Sequence, residues 1–88
     1  MTQRDRLMGF VREKIEERDE EACKTFASDM SLLKSGLLDS LAILQLAGWI
    51  EREISAVMDL SSVNIVEEWD SVDSILNFIE RHNGRAKH

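Results

Sequence analysis

The chain has 88 residues, 43 % of them hydrophobic, with one cysteine, no proline and a formal net charge of -6. This is one small domain, with room for a modest core and little for a deep substrate pocket besides. The acidic balance argues against nucleic acid as a partner, because phosphate binding needs a basic surface, and it suits a partner with a basic docking patch.

Cys23 alone can form neither an internal disulfide nor a cysteine-rich metal site, which points to a reducing compartment. No apolar run reaches membrane-spanning length, and the N-terminus lacks the apolar core of a signal peptide. No membrane insertion and a cytoplasmic location are therefore expected.

Thr2 to about Arg18 reads as the first helix. Leu7, Val11 and Ile15 recur every four residues, and Thr2 and Asp5 have capping-box spacing. A long connection from about Asp19 to Asp39 follows. Its Phe26, Met30, Leu32, Leu33, Leu37 and Leu38 predict that it is pinned to the core, and Gly36 suits a tight turn. Ser40 to about Val57 reads as the second helix. Ile43 sits at the centre of a buried stripe with Leu46, Ala47, Ile50 and Ile54. Gln45, Trp49 and Arg52 fall on the far side with Ala42, and Leu41, Leu44 and Gly48 run along one flank.

A short helix is expected from Asn64 to Glu68, with Asn64 and Glu67 at capping spacing. Trp69 is expected in the core. Asp70-Ser71-Val72-Asp73 is a good start for the last helix, with acids in its first turn. Val72, Ile75, Leu76 and Ile79 would point inward, and Asn83-Gly84 would end the helix. The sum is an all-α four-helix bundle, three main helices and one short, over residues 1–84, with a disordered tail over 85–88.

The candidate site is Gly36-Leu37-Leu38-Asp39-Ser40-Leu41, where the long connection meets the second helix. A serine there is exposed at a helix N-terminus, where free backbone N–H groups and the helix dipole favour an anion. The plainer reading is that Asp39 or Ser40 is simply the N-cap. Asp-Ser-Leu arises by chance in roughly a few per cent of chains this long. Its position at the start of the second helix, in an acidic helical chain, makes it more specific.

With these residues in place, the sequence resembles the acyl and peptidyl carrier protein family over nearly its whole length. Gly36 to Leu41 match the family's attachment motif, in a form similar to D-alanyl and free-standing peptidyl carriers. Trp69-Asp70-Ser71-Val72 looks like the entry to the family's last helix. The resemblance implies an acyl-carrier-protein-like bundle in which Ser40 bears 4'-phosphopantetheine, installed from coenzyme A by a phosphopantetheinyl transferase. By the same likeness Asp39 helps position the transferase's metal ion, and Leu41 touches partner enzymes beside the arm. The arm's thiol would hold an acyl or aminoacyl group as a thioester, so the chain needs no nucleophile or base and is no enzyme. An adenylating ligase would load it, a downstream transferase or synthase would unload it, and the carrier would work as a monomer.

The exposed face departs from fatty-acid carriers, because Gln45, Gly48, Trp49 and Arg52 stand where small or aliphatic residues and acids are common. These residues are read as a docking surface for a dedicated partner, with Trp49 either an interface anchor or packed on the first helix or the connection. Leu60, Val63 and Ile65 are expected to line the other side of the place where arm and cargo rest. The alternative is a small helical protein-protein interaction module that carries no cofactor. A hydrolase based on Ser40 lacks the Gly-x-Ser-x-Gly elbow. Cys23 has no activating neighbour in sequence, His82 and His88 lie near the tail, away from the site, and the acidic run from Glu13 to Glu21 reads as a solvated face.

Overall fold

A computed structural model describes residues 2–55, 58, 61 and 63–86, with residues 83–86 described by their backbone. Its elements are α1 (Gln3–Arg18), α2 (Glu20–Lys24), α3 (Ser40–Ile54), α4 (Ile65–Glu68) and α5 (Val72–Ala86), and no strand occurs among the described residues.

Helix α1 begins as its residues dictate. The Asp5 N–H donates to Thr2 Oγ1 at 3.1 Å, and the Thr2 N–H donates back to Asp5 Oδ2 at 3.4 Å. Both halves of the capping box are thus formed. Leu7, Val11 and Ile15 are fully buried. Asp19 closes α1 and opens α2: its N–H donates to the Ile15 carbonyl, and its Oδ1 accepts from the Glu21 and Ala22 amides. The expected irregular connection therefore starts with a short helix, which makes five helices among the described residues rather than four. Asp19 followed by Glu20 and Glu21 is a strong helix start, hidden inside what reads as a solvated acidic run.

The rest of the connection is pinned to the core as its composition predicts. Phe26, Leu32 and Leu38 are buried, and Met30, Leu33 and Leu37 pack against the core. Gly36 turns the chain at φ +78, where a side chain would be strained.

Polar contacts also fasten the connection, at the junction of α4 and α5. Asp70 Oδ1 accepts from the Ser31 hydroxyl at 2.9 Å, the Leu33 amide at 3.0 Å and the Lys34 amide at 3.1 Å. The Asp73 amide donates to the Ser28 carbonyl at 3.1 Å, and Arg4 bridges Asp73 and the Ser28 hydroxyl. Burial works against the Asp70 charge. The Lys34 and Leu33 amides and the Ser31 hydroxyl outweigh it and hold the Asp70 pKa below the ordinary carboxylate value.

Helix α3 buries Ala42, Leu46, Ala47, Ile50 and Ile54. The stripe is rotated from the expected one: Ala42 is inside and Ile43 is half-buried. The end of α1 stands beside the first turn of α3, where Arg18 meets Asp39 at 3.3 Å. The helix ends at Ser55 in the left-handed region, φ 55, short of Val57, which lies outside the described residues with Ala56.

Helix α4 forms without the expected Asn64 side-chain cap. The Asn64 carbonyl accepts from the Glu67 and Glu68 amides instead. Trp69 is fully buried, its ring perpendicular to that of Phe78 with centroids 5.5 Å apart, and its Nε1 has no hydrogen-bond partner among the described residues. In α5 the inward residues are Val72, Ile75, Phe78 and Ile79. Leu76, expected inside, is half-buried, and Phe78 holds the core position against Trp69. The backbone stays helical through Ala86, past the expected stop at Asn83-Gly84, since glycine lowers helix propensity by only about 1 kcal/mol. Lys87 and His88 lie outside the described residues. No helix among the described residues is long and apolar enough to cross a membrane.

Candidate functional site at the start of α3

The first turn of α3 decides between the two readings of Asp39 and Ser40 as N-cap. Asp39 is the N-cap: its backbone is extended, and its Oδ1 accepts from the Ala42 amide at 2.9 Å. Its other carboxylate oxygen, Oδ2, takes Arg18 Nη1 at 3.3 Å, with both side chains about half exposed. Such a pair is worth roughly 0–1 kcal/mol and ties the end of α1 to the start of α3.

With the cap supplied by Asp39, Ser40 becomes the first helical residue. It is exposed, and its hydroxyl makes no hydrogen bond to a described residue. Upstream, the Leu38 amide donates to the Leu32 carbonyl at 3.0 Å, and both side chains are buried. The serine is thus held by its backbone on both sides, with its oxygen left unused.

Leu41 is the most exposed large apolar side chain described, at 64 %, and Leu44 follows at 59 %. Leu44 lies four residues after Ser40, on the same helical face. The apolar pattern of the sequence sets it on a flank of the helix, outside the expected site. The i, i+4 spacing from Ser40 is the signal that places it beside the hydroxyl.

The other expected docking residues differ in exposure and in what they touch. Gln45 lines a hollow of about 190 Å³ with Leu41 and Ala42, against Lys14, Glu17 and Arg18 of α1. Trp49 is half-buried; its ring lies 6.1 Å from that of Phe10, and the Arg6 guanidinium stands 6.0 Å from its centroid. Of the two positions left open for Trp49, the structure places it on the first helix. Gly48 is half-buried, with open space where a Cβ would be, and Arg52 is exposed. Val63 and Ile65 pack half-buried against the core at the start of α4. Leu60 lies outside the described residues.

No group of His, Cys, Asp and Glu suited to a metal ion occurs among the described residues. Cys23 is half-buried, with its Sγ 3.5 Å from the Arg12 carbonyl. His82 sits against Phe78, with Nδ1 2.9 Å from the Phe78 carbonyl. The site therefore offers an accessible hydroxyl, an adjacent acid and two exposed leucines, and no described base hydrogen-bonds Ser40.

In comparisons with protein-family models, with curated proteins and with solved structures, nothing matches this chain.

Proposed function

We propose that the protein is a carrier that bears 4'-phosphopantetheine on Ser40 and presents a thioester-bound acyl or aminoacyl group to biosynthetic partners. The observation that carries this reading is the division of labour at the start of α3. Asp39 makes the cap, so Ser40 is exposed and its hydroxyl bonds to no described residue. A serine kept only to start the helix would spend its oxygen on the cap.

The residues present fit such a group. An attached phosphodiester would extend from an exposed position at the positive end of a helix dipole. When attached, the arm supplies the thiol that holds the cargo. The chain contributes position: Asp39 and Leu38 fix the backbone around Ser40, and Leu41 and Leu44 offer apolar contact to whatever enzyme approaches it. Tethering also raises the local concentration of cargo at each partner site. The partners follow from this reading: a phosphopantetheinyl transferase, an adenylating ligase and a downstream transferase or synthase.

A cofactor-free interaction module is the second reading, favoured by the same exposed Leu41 and Leu44. Incubation with coenzyme A, magnesium and a broad-specificity phosphopantetheinyl transferase separates the two. The expected result is a mass gain of one phosphopantetheine on the native chain and none on Ser40→Ala. A folded native chain that gains nothing, beside a working control carrier, would favour the interaction module.

A further inference from the structure

We infer that Asp70 is a positioning residue for Ser40, fastening the connection that leads into α3 from the opposite end of the sequence. This rests on the reading of Ser40 as the attachment serine.

Asp70 stands just before α5, where a carboxylate would ordinarily serve that helix. It does not. Ser71 is the cap there: its hydroxyl accepts from the Ser74 amide at 3.1 Å and its carbonyl from the Ile75 amide at 3.0 Å. The Asp70 carboxylate turns instead to Ser31, Leu33 and Lys34, residues 36 to 39 positions away. The Asp70 carbonyl also accepts from the Leu32 amide.

From there the path to Ser40 is short. Leu32 is fully buried, and its carbonyl takes the Leu38 amide. The Gly36 turn, with its amide on the Leu33 carbonyl, lies between them. Asp39 and Ser40 come next. Asp70 thus holds one end of a closed turn whose other end delivers the cap and the attachment serine.

Loss of this hold should leave the bundle folded. The Asp73 amide, Arg4 and the buried Phe26, Leu32 and Leu38 still fasten the connection. What changes is how narrowly residues 31–40 are confined, and group transfer to Ser40 is sensitive to displacements of the order of 1 Å.

The experiment compares the native chain with Asp70→Ala, Asp70→Asn and Ser71→Ala. Ser71→Ala destabilises the same junction while leaving the loop bonds intact. Two quantities are measured at a temperature where all four chains are folded by circular dichroism. One is kcat/KM for modification by the broad-specificity transferase, and the other is amide hydrogen exchange.

Asp70→Ala is expected to lose about tenfold in kcat/KM and to exchange faster at Leu33, Lys34 and Leu38. Asp70→Asn, which keeps an acceptor oxygen, should recover most of both, and Ser71→Ala should stay near the native rate. An Asp70→Ala chain modified at the native rate overturns the proposal, as does an equal loss in Ser71→Ala. If the native chain is not modified at all, the carrier reading fails separately. Exchange then decides: unchanged protection from Leu33 to Leu41 in Asp70→Ala overturns the positioning role, and faster exchange there supports it.

Discussion

Asp-Ser stands at the start of two long helices, as Asp39-Ser40 before α3 and as Asp70-Ser71 before α5, and the two pairs are used in opposite ways. At α3 the aspartate caps and the serine is left free. At α5 the serine caps and the aspartate is committed to a distant loop. Both residues are good N-caps, so the dipeptide alone does not choose between them.

The choice comes from the phase of the apolar residues and from competing partners. In α5 the fully buried Val72 directly follows Ser71, and this fixes Val72 as the first helical residue. In α3 the first buried residue, Ala42, lies three positions after Asp39, the amide an N-cap side chain reaches best. Asp70 is also claimed by three loop donors, whereas at Asp39 only Arg18 competes, and for the oxygen the cap does not use.

The contrast predicts an order of stability losses under urea denaturation. Asp70→Ala should cost most, about 2 kcal/mol, because a charged acceptor leaves the half-buried Leu33 amide without its partner. That loss should also depend on pH. The folded state holds the Asp70 pKa below its unfolded value of about 3.9. Its contribution is therefore present above the unfolded pKa and lost as pH falls through the lower folded one. The stability gap between native chain and Asp70→Ala should close in that acidic window; a gap constant down to the lowest pH tested would contradict the assignment.

Ser71→Ala and Asp39→Ala should each cost about 1 kcal/mol, as lost caps do. The Asp39 value should shrink slightly in high salt, as screening removes the Arg18 share. Ser40→Ala should fall within about 0.5 kcal/mol of the native chain, since its hydroxyl bonds nothing described. A Ser40→Ala loss as large as that of Asp39→Ala would make Ser40 a capping residue and erase the comparison.

Much of this arrangement is legible from residues near one another in the chain. The Thr2–Asp5 box, the Leu7, Val11 and Ile15 stripe and the Gly36 turn follow from short-range spacing, and so does the exposed place of Ser40. Leu44 was within reach by the same logic, one helical turn after the serine. The parts that were not legible depend on other elements. Ala42 is buried although the apolar pattern of α3 sets it on the far side, and Phe78 rather than Leu76 meets the ring of Trp69. Trp49 lies on Phe10 because the two helices meet there. The Asp70 clamp has partners 36 to 39 residues away, and nothing in a local window separates it from an ordinary acid in a helix entry. The short α2 was a different kind of miss, since Asp19, Glu20 and Glu21 do announce it.

The isolation of Trp69 has an optical consequence. The chain has two tryptophans and no tyrosine, so its ultraviolet emission comes almost wholly from two indoles in different settings. Trp69 is fully enclosed and its indole N–H meets no acceptor among the described residues, so its emission lies to the blue and is closed to aqueous quenchers. Trp49, half-exposed beside Arg6, emits to the red and is open to them. A quencher titration on the unlabelled protein thus separates the core from the seam between α1 and α3.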